Sequence, residues 1–130
     1  MDWTFTNDRP VWQQLTEQLT LRILKGEYPP GSRLPAVREV AAQAGVNPNT
    51  MQRALAELER DGLVYSQRTA GRFVTEDQTM IDHVKRSLAQ RHIQAFWEAM
   101  THLGYDREEV LALMRQEVSE EENDNGSSGM

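Results

Sequence analysis

Three side chains within five positions, Asn49, Gln52 and Arg53, carry the chemistry needed to read a base edge. A carboxamide donates and accepts at once, so it matches the N6 and N7 edge of adenine. A guanidinium forks onto guanine O6 and N7, or onto a phosphate. At 3.6 residues per turn, Asn49, Gln52, Arg53, Ala56 and Arg60 share one helix face, with Thr50 at its margin. Ala56 is small enough to let that face approach a groove closely. On an isolated amphipathic helix the same face would be a merely solvated surface, so the reading depends on what holds it.

Other chemistries find less support. The chain has no cysteine, which excludes disulfides and thiolate metal sites. His83, His92 and His102 are spaced by nine and ten residues, so they share no helix face and form no i, i+4 metal pair. Asp82 beside His83 lacks a nucleophile, and Ser66 has neither a nucleophile elbow nor an evident His/Asp partner. Neither GxGxxG nor a P-loop is present. The expectation is a protein that is not an enzyme and takes no cofactor and no metal.

The stretch from Leu34 to Gly62 must position the reading face. Pro35 stands near the start of one helix, whose core side is Val37, Val40 and Ala41. Gly45 suits a turn with positive φ. Asn47 is an N-cap with Pro48 at the first helical position, and Met51, Ala54, Leu55 and Leu58 form the inward stripe of a second helix. Two helices joined by a tight turn make a helix-turn-helix. Upstream, Pro10 opens a helix that buries Trp12, Leu15, Leu19 and Ile23, and Gly26 with Tyr28-Pro29-Pro30-Gly31 ends it. Downstream, LVYSQ and GRFVT flank Arg68-Thr69-Ala70 and read as a β-hairpin with Arg68 and Arg72 at its tip. A basic hairpin beside a reading helix is a wing, placed to touch the sugar-phosphate backbone or the minor groove. Arg38 has two readings, a phosphate contact or a surface partner of Glu39 or Glu57.

Beyond Asp77 the apolar period becomes that of one long helix through Ile81, Val84, Leu88, Phe96, Met100 and Leu103, widened by Ile93 and Trp97. Gly104 stops it. Asp106 and Glu109 make a capping-box-like start for a short helix lined by Val110, Leu111, Met114 and Val118. An αα-hairpin of roughly 40 residues is too small to bury its own apolar face well. It must pack on the first domain, on a second copy, or on both. The favoured reading is a homodimer interface built from Ile81, Val84, Leu88, Phe96, Met100, Leu103, Val110, Leu111 and Met114. The alternative for Phe96 and Trp97 is an effector pocket. The terminal EEENDNGSSGM is acidic, then Gly/Ser-rich, and is expected to be disordered.

The net charge is −6 over 130 residues, which at first argues against nucleic acid. Its distribution reverses that. From Arg9 to Thr75 nine Arg/Lys face six Asp/Glu, whereas beyond Thr75 five face twelve. No apolar run approaches the roughly 18 residues of a membrane span, and MDWTFTNDRP has no basic region followed by an apolar one. The expectation is a cytoplasmic protein without membrane contact.

The span PVWQQLTEQLTLRILKGEYPPGSRLPAVREVAAQAGVNPNTMQRALAELERDGLVYSQRTAGRFV, Pro10 to Val74, resembles the winged helix-turn-helix domain of the GntR family of bacterial transcription regulators. Its most specific pieces are PPGSRLPAVREVA, AGVNPNT, RALAELERDGLV and the wing ending in GRFV. The NPNT run and the short two-helix C-terminus look like the YtrA subfamily. The resemblance implies a homodimer on a palindromic operator in double-stranded DNA, a role as repressor, and an association with operons for ABC transporters. It places DNA contacts at Arg38, at Asn47, Pro48, Asn49, Thr50, Gln52 and Arg53, and at Arg68, Thr69, Gly71 and Arg72. It names no small-molecule effector. Three positions depart from the family pattern. Many relatives have Ser at Ala36, where it would form a capping box with Glu39 worth about 1 kcal/mol. Many carry a basic residue at Pro48 and a second Gly at Thr69.

The expected fold is mainly α with a small β-hairpin. A winged helix-turn-helix domain (1–76) precedes an αα-hairpin dimerisation module (77–119) and a disordered tail (120–130). The competing class is a winged helix that binds protein and has lost its DNA role, which the net negative charge keeps open. Replacing Arg53 and Arg68 by Ala separates the two.

Overall fold

The structure, a computed structural model, describes the backbone of residues 2–128 and side chains as far as Glu122. The chain divides into two compact units, one ending at Arg86 and the other beginning at Ser87.

In the first unit, α1 (Val11–Leu24), α2 (Val37–Ala44) and α3 (Pro48–Arg60) precede a hairpin of β1 (Val64–Gln67) and β2 (Gly71–Val74). Each element gives its apolar stripe to one core. Leu15, Leu19 and Ile23 come from α1, Val40, Ala41 and Ala44 from α2, and Met51, Ala54, Leu55 and Leu58 from α3. Leu34, Leu63, Val64 and Val74 close it beneath the hairpin. The α2–α3 turn is built as its residue types require. Gly45 sits at φ 71°, a conformation that costs glycine no Cβ clash, and its N–H bonds back to α2. The Asn47 side chain accepts from the Asn49 N–H at 2.8 Å, and Pro48 follows at the first helical position. At Ala36 no side chain caps α2.

The strands pair antiparallel with Tyr65 opposite Phe73, whose rings stack at 5.8 Å. The residues before α2 add a second pairing that the sequence reading missed. Gly31 N–H bonds Val74 O, Val74 N–H bonds Ser32 O, and Leu34 N–H bonds Arg72 O, each at 2.9 Å. This brings Arg33 opposite Phe73. The N-terminal residues strap onto α1. Buried Gln14 donates to Thr6 O and Arg9 O and accepts from Thr6 N–H, which satisfies its carboxamide.

Trp12 differs from expectation. It stands half-buried beside the core rather than within it. It lies one turn before Leu15, where α1 leaves the packed interior.

Helix α4 (Gln78–His102) starts in the first unit, with the Asp77 carboxylate accepting from Met80 N–H at 3.3 Å. Ile81 is buried in the first unit's core and Val84 packs against it. The division therefore falls after Arg86 rather than at 76, because the first turns of α4 complete the winged core. The same observation corrects the assignment of Ile81 to a dimer interface.

In the second unit, Asp106 and Glu109 form the expected reciprocal cap. Asp106 N–H donates to Glu109 Oε1 at 3.1 Å, and Glu109 N–H to Asp106 Oδ1 at 2.9 Å. They open α5 (Arg107–Ser128). Val110 is buried within the chain, which also counts against its expected place in a dimer interface. Helix α5 runs through 120–128, where disorder was expected. Glu120, Glu121 and Glu122 are good helix formers, and an already nucleated helix gains one hydrogen bond for each residue added, which carries it on into the weaker formers beyond. The Gln116 side chain adds an i, i+4 bond to Glu120 at 3.4 Å. Residues 129 and 130 of the expected tail lie outside the described residues.

Candidate nucleic-acid interface

The inward stripe of α3 is fully buried, so the opposite face is presented to solvent. Asn47, Pro48, Asn49, Gln52 and Arg53 are exposed, and Thr50 is half-buried at their margin. At the first turn Pro48 brings no N–H, the Asn49 N–H is taken by the Asn47 side chain and the Met51 N–H bonds Asn47 O, while the helix dipole favours an anion at this end.

Two arginines border this face and are held in opposite ways. The Arg53 guanidinium lies over the Trp12 ring, 3.9 Å from its centroid. Arg72, on β2, is paired edge-on with Glu59 of α3, its Nε donating to Oε1 at 2.7 Å. The Ser66 hydroxyl donates to the same oxygen at 2.5 Å. Arg72 Nη1 also makes a long contact of 3.5 Å with Gln52 Oε1. Arg72 therefore ties the wing to the reading helix through Glu59. The Ser66 hydroxyl holds the Glu59 carboxyl below its ordinary value, burial opposes this, and Arg72 adds to the lowering through its hydrogen bond and its charge.

The wing tip exposes Arg68 and Thr69. Thr69 sits at φ 70°, the non-glycine residue with positive φ among the described residues. This accounts for the glycine that the family pattern places there. At Gly71 the φ of 105° favours glycine, and a Cβ there would lie 3.0 Å from Arg33 Nε, so the Arg33 side chain passes close over the hairpin. Arg33 is an exposed cation beside the wing that sequence reasoning missed. Its signal, Ser-Arg-Leu after a Pro-Gly turn, is too short to show a strand period.

Arg38 is exposed on α2 and carries no ion pair among the described residues. Glu57, its possible partner, instead pairs with Arg60 at 3.2 Å. The structure thus groups Asn49, Gln52, Arg53 and Arg72 along α3 and joins Arg33 to Gly71. The expected interface residues in the second unit present exposed Phe96, Leu103, Leu111 and Met114, with Leu88 and Met100 half-buried.

Residues 12–74 match the family described as "Bacterial regulatory proteins, gntR family". The chain is 39% identical over 111 residues to the uncharacterized HTH-type transcriptional regulator YhcF of Bacillus subtilis, covering 85% of this chain and 92% of that one. It is 35% identical over 94 residues to the HTH-type transcriptional repressor YtrA of the same organism, covering 68% and 72%. A GntR family transcriptional regulator from Listeria monocytogenes superposes with a TM-score of 0.79 at 33% identity, covering 86% of this chain and 98% of that one. AraR(DBD) in complex with operator ORX1 superposes over 55% of this chain and 93% of its own, with a TM-score of 0.52 at 28% identity.

Proposed function

From the premise that the chain belongs to the GntR family of bacterial transcription regulators, we propose that it is a homodimeric repressor of the YtrA type that binds a palindromic operator. The observation that carries the reading is the exposed polar face of α3, whose Asn49, Gln52 and Arg53 stand beside a wing fixed through Glu59. Asn49, Gln52 and Arg53 discriminate bases. Arg38, Asn47, Thr50, Arg68 and Arg33 set register on phosphates, with Pro48, Thr69 and Gly71 shaping the backbone that approaches the duplex. The likeness to YtrA, named a repressor, and to AraR(DBD), solved with an operator, supports this assignment.

A second copy covers the exposed apolar residues of α4 and α5, and its twofold axis sets two reading helices about 34 Å apart in successive major grooves. Repression follows from occlusion of a promoter, with an operon for an ABC transporter as the target class. The location is the cytoplasm, where the duplex is.

A gel shift with the DNA upstream of its own operon tests the reading. A shift that prefers one sequence and weakens steeply with salt is expected. No shift, or one indifferent to sequence, overturns it.

A further inference from the structure

The contact between Arg53 and Trp12 has a chemical asymmetry. A ring holds a guanidinium by its face, leaving the in-plane N–H donors at its edge unoccupied. A carboxylate does the reverse, as Glu59 does to Arg72 by engaging its Nε. Arg53 carries no ion pair among the described residues, so its donor edge remains available. Trp12 and Arg53 meet with Val11, Asn49 and Thr50 around one open groove at the start of the reading helix. Trp12 is half-buried outside the core, so packing alone does not account for an indole there.

We propose that Trp12 is a positioning residue for Arg53. Its ring restricts the arginine to a stacked conformation whose free edge forks onto a guanine. The preference for one G·C pair in each half-site therefore depends on a residue of α1 that touches no base. The proposal rests on the DNA-binding reading above.

The test uses the full chain and a duplex that the wild-type protein selects from a random pool, together with every single base-pair substitution of that duplex. Arg53→Ala is expected to lose discrimination at one G·C pair. Trp12→Leu is expected to reduce discrimination at that same pair about three- to fivefold, the scale of an exposed cation–π contact. Trp12→Tyr, which keeps a ring face, retains most of it. The double variant matches Arg53→Ala alone. In the unbound protein, the Arg53 side-chain resonances show a ring-current shift that Trp12→Leu removes. Where leucine compromises folding, Trp12→Met repeats the measurement. Full discrimination without the ring, independent addition of the two effects, or a loss spread evenly over all base pairs overturns the proposal while leaving DNA binding intact. A wild-type protein that selects no duplex overturns the DNA-binding reading, and the positioning role with it.

Discussion

The two units solve the burial problem differently. The winged unit seals Leu15, Leu19, Met51, Leu55, Leu58, Leu63 and Val74 completely. Among the described residues the helical unit buries Val110 and leaves Ile93 54% exposed, Leu103 71%, Met114 45% and Val118 53%. Apolar area left in water at this density marks a surface that another surface covers. The contrast teaches that the winged unit holds its fold by its own core, whereas the helical unit, on the proposed reading, depends on association. Substitutions in the two units should therefore fail in different assays.

The largest effect is expected in the sealed core. Leu58→Ala removes a fully buried side chain and should cost about 2–5 kcal/mol in urea unfolding of the winged unit. Next comes Met114→Glu, which places a charge on the exposed face of α5. It should leave the unfolding of the winged unit unchanged and raise the dimer dissociation constant about 30-fold or more in sedimentation equilibrium. If Met114→Glu unfolds the monomer instead, or leaves association untouched, the contrast between the units is wrong.

The third prediction sharpens the contrast within the winged unit, at the joint between wing and helix. Glu59→Gln keeps the shape of the side chain but removes the charge that Ser66 and Arg72 address. Because Glu59 is about one-third exposed, the expected cost near neutral pH is only about 0.5–1 kcal/mol. The Glu59 carboxyl is held below its ordinary value of 4.5 by the Ser66 hydroxyl and then by Arg72. A carboxyl depressed in the folded state stabilises it above its unfolded value and loses that contribution as pH falls through the folded one. The difference between wild type and Glu59→Gln should therefore be constant above the ordinary carboxylate range and disappear in acid. A difference that persists in acid would assign the effect to packing.

Much of this architecture is legible in local patterns. The i, i+3, i+4 stripes of α3, the Asn47 cap, Gly45 and the Asp106–Glu109 box act within a few residues, so spacing alone reveals them. What escaped depends on contacts between distant segments. Gly31, Ser32 and Leu34 join β2 through three backbone bonds, in a stretch without a strand period of its own, and so carry Arg33 opposite Phe73. Ile81 continues the stripe of α4 by spacing, yet its side chain completes the winged core. Trp12 fits the α1 stripe but meets Arg53, because the crossing of α1 and α3 decides what a half-buried ring touches. Of the reading face, exposure and amide chemistry could be inferred, whereas the opposite treatment of Arg53 and Arg72 could not.

The smallest expected effect concerns the wing tip, and there the sequence held a usable clue. Thr69 occupies a position where the family pattern has glycine, and its φ of 70° supplies the reason. A left-handed backbone costs a residue with a Cβ roughly 1–2 kcal/mol, and β-branching aggravates it. Glycine avoids that strain but loses about 0.5–1 kcal/mol more conformational freedom on folding. Thr69→Gly should accordingly stabilise the winged unit by about 0.5 kcal/mol, a rise of about 2–4 °C in melting temperature for a domain of this size. Thr69→Ala removes the branch but keeps the Cβ, so it should recover only part of the gain. Should both variants melt below wild type, the threonine hydroxyl must stabilise the turn by more than the strain it carries. The wing would then be set by side-chain bonding at its tip as well as by Glu59 at its base.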